Sequence, residues 1–400
     1  MTSGSAAGRR RSEGGFTIIE LMIATAIMVT VTGAIFAVMN PSTGAFQAQP
    51  EVSDLQQRLR VGVDSLQKDL IMAGAGTYSG ASAGTLTNFM APLMPYKAFG
   101  DVPDPVNGTF FRKDAISLMY VPPTPSQTTI SDPMPAQSSE IKVTPQANCP
   151  SKKEALCGFD IGDKLIIFDP MGNWDFFTVT QVQDSAAHLQ HRLHDFSVSY
   201  ATGSYVTMVT VAMYYLNTND VTKTYQLMHH DGVSERPLVD NVVKLEFQYF
   251  GDNLPPVLTG KPLADPTGPW TTYGPPPPPL TEARSGWPQG ENCTFKVVNG
   301  QHTPRLEPIT AGIGQVELTK AMLEDGPWCP GPASPNKFDA DILRVRRVRV
   351  KLRVQAALAA LRGPASTLFM KGGTGHVGDR LVPDQELMFD VTPRNMNLGR

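Results

Sequence analysis

The sequence predicts an α+β fold in which one long N-terminal helix packs on a large antiparallel β-rich head with loop insertions. Three observations predict this fold. An apolar run of 24 residues extends from Phe16 to Met39. Apolar residues then recur at helical spacing as far as Met72. Beyond residue 115 they concentrate in short β-branched or aromatic runs bounded by turns.

The apolar run predicts a membrane-spanning helix, residues 16–40. At 1.5 Å per residue it is long enough to cross a bilayer core of about 30 Å. Arg9, Arg10 and Arg11 precede it, and positive charge holds that side of a membrane helix in the cytoplasm. The small residues Gly14 and Gly15 come before the run, whereas a secretory signal has its small residues after it. We therefore expect residues 1–15 to be a cytoplasmic leader and the helix to be retained.

A second, amphipathic half of the helix is predicted for residues 41–76. It follows Pro41 and a patch of small residues that ends at Pro50. Spacings of three and four separate its apolar positions, which are Val52, Leu55, Leu59, Val63, Leu66 and Leu70. The helix should end near Met72, because glycine at 74 and 76 tolerates the left-handed backbone common at helix ends.

Glu20 is the only charged residue in the apolar run. A carboxylate inside a membrane helix costs roughly 2.5–3.5 kcal/mol, so Glu20 needs a partner. An ammonium group created by cutting the chain just before the helix would be a natural one.

Residues 15–22, GFTIIELM, resemble the processing motif of type IV prepilins and of type II secretion pseudopilins. The resemblance implies that a prepilin peptidase cuts between Gly15 and Phe16 and that Phe16 is then N-methylated. Glu20 becomes the fifth mature residue, and its carboxylate pairs with the amino terminus of a neighbouring subunit during assembly.

The stem and parts of the head resemble PilW-like minor pilins. The stretches that carry this resemblance are residues 59–70, 73–76, 159–169 and 238–249, although Gly33 and Pro41 depart from the register of the family's helix break. The resemblance implies a role in pilus assembly initiation or in a tip complex. The implied partners are other major and minor pilins, the inner-membrane assembly platform and a tip adhesin. The protein would sit in the inner membrane with a periplasmic head and then reach the pilus or cell surface.

The remaining residues, 77–400, are expected to form the extracytoplasmic head. Residues 77–112 are predicted to be a long connection, and a Pro-rich insert at about 254–290 is predicted to be a surface excursion. The predicted strands are 115–121, 164–168, 176–182, 205–216, 224–228, 242–250, 313–319, 344–354 and 386–391.

The four cysteines all follow the membrane segment, which favours two disulfides in an exported head. We expect Cys149 to pair with Cys157, closing a short loop. Cys293 would then pair with Cys329.

Several motifs resemble chemical sites, and each has a simpler interpretation. Residues 80–84 match G-x-S-x-G but lie in low-complexity sequence, and residues 373–378 match G-x-G-x-x-G but are expected to form a hairpin loop. His188, His191 and His194 could share a helical face for a metal, but no zinc signature completes them. We therefore expect no catalytic residue, metal or cofactor.

Basic residues alternate with apolar ones in the strand 344–354, at Arg347, Arg349, Lys351 and Arg353. A solvated sheet face is the favoured interpretation, and docking to an acidic pilin is the alternative. Stacking aromatic residues are lacking nearby and the net charge is −3, so nucleic acid is not an expected partner.

Two other functions remain open at this point. A large minor pseudopilin of a type II secretion system would have the same processing motif and stem. A membrane-anchored surface binding protein or enzyme would need a convergent set of polar residues, which the sequence does not reveal.

Overall fold

The structure is a computed structural model. It describes residues 15–75, 91–95, 112–122, 126–146, 149, 156–169, 173–192, 195–232, 234–259, 270–283, 286–333, 337–376, 378–393 and 396. Of residues 38–45 and 270 it describes the backbone alone. The leader, the G-x-S-x-G motif, His194 and most of the predicted connection 77–112 lie outside the described residues.

One α-helix, α1, extends from Ile18 to Met72. Short 3₁₀ helices occupy Asp184–Ala186, Ala321–Leu323, Ala340–Arg344 and Ala359–Leu361. The strands are β1 Leu93–Met94, β2 Ala115–Tyr120, β3 Gln127–Thr129, β4 Glu140–Lys142, β5 Lys164–Phe168, β6 Trp174–Thr178, β7 Gln181–Gln183, β8 His188–Gln190, β9 Tyr205–Met208, β10 Thr210–Asn219, β11 Thr224–His230, β12 Glu235–Asp240, β13 Val242–Asp252, β14 Leu258–Thr259, β15 Trp270–Thr271, β16 Phe295–Val298, β17 Gln301–Pro304, β18 Gln315–Leu318, β19 Trp328–Cys329, β20 Phe338–Asp339, β21 Val345–Val354 and β22 Gln385–Val391.

The helix and the antiparallel strands confirm the α+β prediction. Helix α1 ends at Met72, as the apolar spacing predicts, and Gly74 follows it with a φ of 78°. The backbone stays helical through Pro41 and Pro50, so the two predicted halves form one continuous element. In the described residues 91–95 of the predicted connection 77–112, the chain forms the short strand β1, which pairs with β2.

The chain divides into two compact units, Leu55–Gln355 with Asp384–Arg400, and Met1–Asp54 with Ala356–Pro383. The larger unit contains two main sheets, with strand orders β1-β2-β10-β11-β12 and β18-β13-β21-β22. In the second half of α1, Leu55, Leu66 and Leu70 are fully buried. Gly62 permits close packing, because a Cβ there would lie 2.9 Å from Leu352 Cδ2 of β21 and 3.6 Å from Leu227 Cδ2 of β11.

A folded lobe is inserted between β2 and β10, which are neighbours in one sheet. It contains a four-stranded sheet, β3-β9-β5-β6, and a three-stranded sheet, β4-β8-β7. Its hydrophobic core includes the fully buried Ile141, Leu165 and Val206. The disulfide between Cys149 and Cys157 lies in this lobe, and it joins the two cysteines that the sequence predicts to pair.

Two runs that the sequence predicts as single strands are divided in the structure. The run 205–216 forms β9 in the lobe and β10 in the main sheet, and between them the Val209 amide donates to Lys164 O at 3.1 Å. The run 176–182 likewise contributes to β6 and β7, which belong to different sheets. At these points the chain leaves one sheet and joins another. The alternation of apolar and polar residues along a run cannot predict such a change of sheet.

A second insertion lies between β13 and β18 and contains the Pro-rich segment. The proline run of this predicted surface excursion is partly buried, since Pro276 and Pro279 are exposed whereas Pro275, Pro277 and Pro278 are buried. Their burial is possible because neighbouring side chains satisfy prolyl carbonyls: Thr294 Oγ1 donates to Pro275 O at 2.9 Å and Asn292 Nδ2 to Pro276 O at 2.8 Å. The second disulfide joins Cys293 to Cys329, again the predicted pair.

In the smaller unit, residues 356–383 form the long connection between the antiparallel strands β21 and β22. The G-x-G-x-x-G residues lie in it, in the loop of a hairpin as predicted. A Cβ on Gly373 would lie 2.2 Å from Ala359 O, so this glycine serves close backbone packing. Glu51 of α1 accepts a hydrogen bond from the Ala357 amide in the same unit.

Candidate assembly site at the start of the helix

Gly15 and Phe16 lie in non-helical backbone just before α1 begins at Ile18. The Phe16 side chain is 90% exposed. A non-helical, exposed peptide next to a glycine is the kind of segment that a protease can bind. The basic leader residues Arg9, Arg10 and Arg11 lie outside the described residues.

Thr17 and Glu20 cap the start of the helix. The Thr17 amide and hydroxyl both donate to Glu20 Oε2 at 2.9 Å, and the Glu20 amide donates to Thr17 Oγ1 at 3.2 Å. This reciprocal arrangement is a capping box, which satisfies amide groups that a helix start leaves without partners. Both Thr17 donors use the same carboxylate oxygen, so Glu20 Oε1 has no hydrogen bond within the described part of the chain.

The helix that follows is apolar on all sides. Ile18–Ala37 has a mean hydropathy of 2.1 over 20 residues, and none of the segment is buried. Thr25 Oγ1 donates to Leu21 O at 2.9 Å, and Thr30 Oγ1 donates to Ala26 O, so the hydroxyls are satisfied within the helix. Such a surface needs lipid or other apolar helices around it.

Glu20 therefore combines two features. Its carboxylate is held in one orientation by Thr17, and one of its oxygens remains available to a further donor. A charged donor from another chain could bind that oxygen with little rearrangement, because the Thr17 contacts already fix the side chain.

The apolar context of Glu20 predicts a partner on a neighbouring subunit, but it does not point to Thr17. The signal was present, since a threonine followed three residues later by a glutamate is the pattern of a capping box.

The basic strand face on β21 is paired within the head. Asp390 of β22 accepts from Arg349 Nε at 2.7 Å and also from Arg347. Arg353 Nε donates to Asp384 at 2.9 Å, and Lys351 Nζ lies 3.8 Å from Glu246. Hydrogen bonds from Arg349 hold the pKa of Asp390 at about 2. The basic side chains of β21 are thus paired with carboxylates on, or next to, the adjacent strands of the same sheet.

The histidine motif does not form a helical face. His188 belongs to β8, and its Nδ1 lies 3.0 Å from Glu140 Oε1. His191 is buried, and its Nε2 lies 2.7 Å from Ser138 O. Each described histidine of this motif thus contacts the lobe around it.

One group of acidic residues meets the spacing of a metal site: Asp325, Asp339 and Asp341 each place one oxygen within 4.8 Å of the others. Two of them already have partners, since Asp339 accepts the Gly326 amide at 2.6 Å and Asp341 pairs with Arg344. The carboxylates of Asp339 and Asp341 therefore serve the packing of the head through these contacts.

The helix start lies within a sequence motif known from other proteins. The family model of the prokaryotic N-terminal methylation motif matches residues 10–36. No curated protein and no solved structure matches the chain. The motif supports a type IV pilin or pseudopilin, a class that assembles through its N-terminal helices. It implies processing by a prepilin peptidase, membrane anchoring, association with other pilins and a structural role.

Proposed function

We propose that the chain is a PilW-like minor pilin that a prepilin peptidase cuts between Gly15 and Phe16 and methylates at Phe16. Its helix then joins a complex that initiates or caps a type IV pilus. The observation that carries the proposal is the solitary Glu20 carboxylate, one turn into a membrane-length helix, oriented by Thr17 and with Oε1 open.

The two carboxylate oxygens suggest how assembly is guided. Before assembly, Thr17 satisfies Oε2 and lowers the cost of holding Glu20 in the bilayer. After cleavage, the ammonium group of a neighbour's Phe16 can bind Oε1. Ion pairs in a low-dielectric environment are strongly distance-dependent, so this contact would set the axial register between adjacent helices.

The head favours a minor subunit over a major one. The main sheets carry three inserted segments, between β2 and β10, between β13 and β18, and between β21 and β22. Such a bulky head is difficult to repeat densely along a filament, whereas a tip complex contains few copies. In this proposal the protein waits in the inner membrane with its head in the periplasm and then moves to the pilus or cell surface.

Cleavage is tested by replacing Gly15 with leucine. A bulky side chain at the scissile bond should prevent cutting, so Gly15→Leu should accumulate as a full-length membrane precursor. Mass spectrometry of the wild-type chain should find an N-terminus at methylated Phe16. If Gly15→Leu cells still contain a chain as short as the processed wild-type protein, this cleavage site is ruled out.

The assembly role is tested with Glu20→Ala and Thr17→Val. Glu20→Ala should be processed and keep a protease-resistant head, yet its recovery in sheared filaments should fall about tenfold or more, because the ammonium group of a neighbouring subunit loses its ion-pair partner. Thr17→Val removes the hydroxyl donor to Oε2 but leaves the carboxylate, so it should assemble better than Glu20→Ala.

Equal loss in both variants would mean that Glu20 acts only as a helix cap. Wild-type recovery of Glu20→Ala would also defeat the proposal. If the chain is absent from sheared filaments and its deletion abolishes protein secretion, the type II secretion pseudopilin is the correct assignment.

A further inference from the structure

A cavity of about 500 Å³ lies in the larger unit, between the second half of α1 and the strands beside it. Ser65, Lys68 and Asp69 of α1 line one side. The other walls come from β2, β10, β11, β12 and the turn before β5. Its volume falls within the range of small-molecule binding sites.

Asp69 provides a buried acceptor in this cavity, with 9% of its surface exposed. Tyr214 Oη donates to Asp69 Oδ2 at 2.6 Å, and Tyr120 Oη lies 3.4 Å from Oδ1. Burial, together with the charge of Asp69, raises the pKa of Tyr214 and brings that of Tyr120 to about 12. Both phenols therefore keep their protons at neutral pH. A carboxylate accepts about four hydrogen bonds, so Asp69 can still accept from a ligand.

His229 lines the same cavity, and its ring centroid lies 5.0 Å from that of Tyr214. Burial lowers the pKa of His229, which favours the neutral imidazole. Its Nδ1 is buried and has no hydrogen-bond partner among the residues that the structure describes. A buried polar atom without a partner is costly, so the protein leaves this wall of the cavity incompletely satisfied.

The charges around the cavity balance. Lys68, Lys164 and Arg236 oppose Asp69, Asp163 and Asp231. Lys164 Nζ pairs with Asp231 Oδ1 at 2.9 Å, whereas Lys68 and Arg236 are exposed and form no ion pair within the described ranges. A polyanion would meet the three carboxylates, so the cavity suits a ligand with little net charge and many hydroxyl groups.

We propose that this cavity binds a carbohydrate of about two sugar rings, with Asp69 accepting a hydrogen bond from a ring hydroxyl and Lys68 and Arg236 at the rim. The half-buried Tyr120 ring, beside hydrogen-bonding groups, provides the mixed surface that sugars, with their apolar and hydroxyl faces, can contact. A peptide strand is less suitable at the rim. The adjacent edge strand β12 contains Pro237, which lacks an amide donor, and its pairing with β11 is irregular at Leu227.

The test uses the detergent-solubilised full-length protein on an array of neutral and uronic-acid-containing di- to tetrasaccharides. The wild-type chain should retain at least one neutral oligosaccharide. Asp69→Asn should weaken that binding about tenfold to hundredfold, because a hydrogen bond to a charged acceptor is lost. Asparagine can still accept from a tyrosine, and an unchanged melting temperature would confirm that the variant folds.

Lys68→Ala and Gln67→Ala form a matched pair, since both residues are exposed on α1 and only Lys68 lines the cavity. Lys68→Ala should weaken binding, and Gln67→Ala should not. The proposal is overturned if the wild-type chain retains no oligosaccharide, or if Asp69→Asn binds equally well. Loss of Asp69→Asn from filaments without any glycan binding would assign the cavity to a neighbouring subunit instead. Glu20→Ala should bind glycans normally, so the cavity is tested independently of assembly.

Discussion

Replacing Arg344 should destabilise the head more than replacing any exposed arginine. Arg344 is 2% exposed and connects three parts of the chain. Its guanidinium donates to Asn253 O at 3.1 Å, to Glu307 O at 2.7 Å and to the Asp341 carboxylate. Arg344→Met keeps an unbranched apolar stem at this position but removes the guanidinium and all of these donors.

The expected loss follows from what remains behind. Asp341 would be left buried without its cation, and the carbonyls of Asn253 and Glu307 would lose a charged donor. Removing one partner of a buried ion pair typically costs about 3–5 kcal/mol. For a unit larger than 200 residues, about 2–4 °C of melting temperature is lost per kcal/mol, so the shift should be roughly 10 °C. Thermal unfolding followed by tryptophan fluorescence of the full-length protein would measure it.

Two further variants make this experiment decisive. Arg344→Met combined with Asp341→Leu removes both charges, so it should be more stable than Arg344→Met alone. Arg349→Met, at an exposed ion pair with Asp390, should destabilise the chain much less than Arg344→Met does. A loss below about 1 kcal/mol in Arg344→Met, or a double variant no more stable than the single one, would refute the reasoning.

Two other predictions concern the same region. Burial raises the pKa of Asp339 to about 7 from 3.8, so the folded chain holds a proton that the unfolded chain releases. The free energy of unfolding should therefore fall as the pH rises from about 4 to 7. In Asp339→Asn, the urea unfolding midpoint should depend less steeply on pH over this range. The same pH dependence in the variant and the wild type would contradict the prediction. Gly251→Ala should lower the free energy of unfolding by about 1–3 kcal/mol, because the new Cβ would lie 2.8 Å from Arg344 O. An unchanged urea unfolding midpoint would show instead that the backbone moves to make room.

The elements that the sequence predicts well are those with a strong local signal. The strands 164–168, 242–250 and 386–391 lie within one or two residues of β5, β13 and β22. Their boundaries coincide with turn residues, and their apolar content reflects burial on a sheet. The start of the candidate site was equally readable, since its motif occupies eight consecutive residues.

Other features depend on residues far apart in the chain. The sequence does not reveal that β2 and β10 are neighbours across an inserted lobe. It also leaves open whether Arg349 is solvated or paired, because its partner Asp390 lies 41 residues away. By helical spacing alone, Asp69 is one more polar residue of an amphipathic helix. The contacts from Tyr120 and Tyr214 make it a buried hydrogen-bond acceptor in the wall of the cavity.

The sequence by itself determined the long helix to Met72, the solitary Glu20 at the expected processing site, the β-rich head and the cysteine pairs. These follow from periodicity, composition and short motifs, which act over a few residues. Only the tertiary structure decided which sheet each strand joins, that three prolines of the run 275–279 are buried, and that a charge-balanced cavity surrounds Asp69. Those features arise from pairing across long sequence separations, where many alternative partners satisfy the same local pattern and only the packed chain selects one.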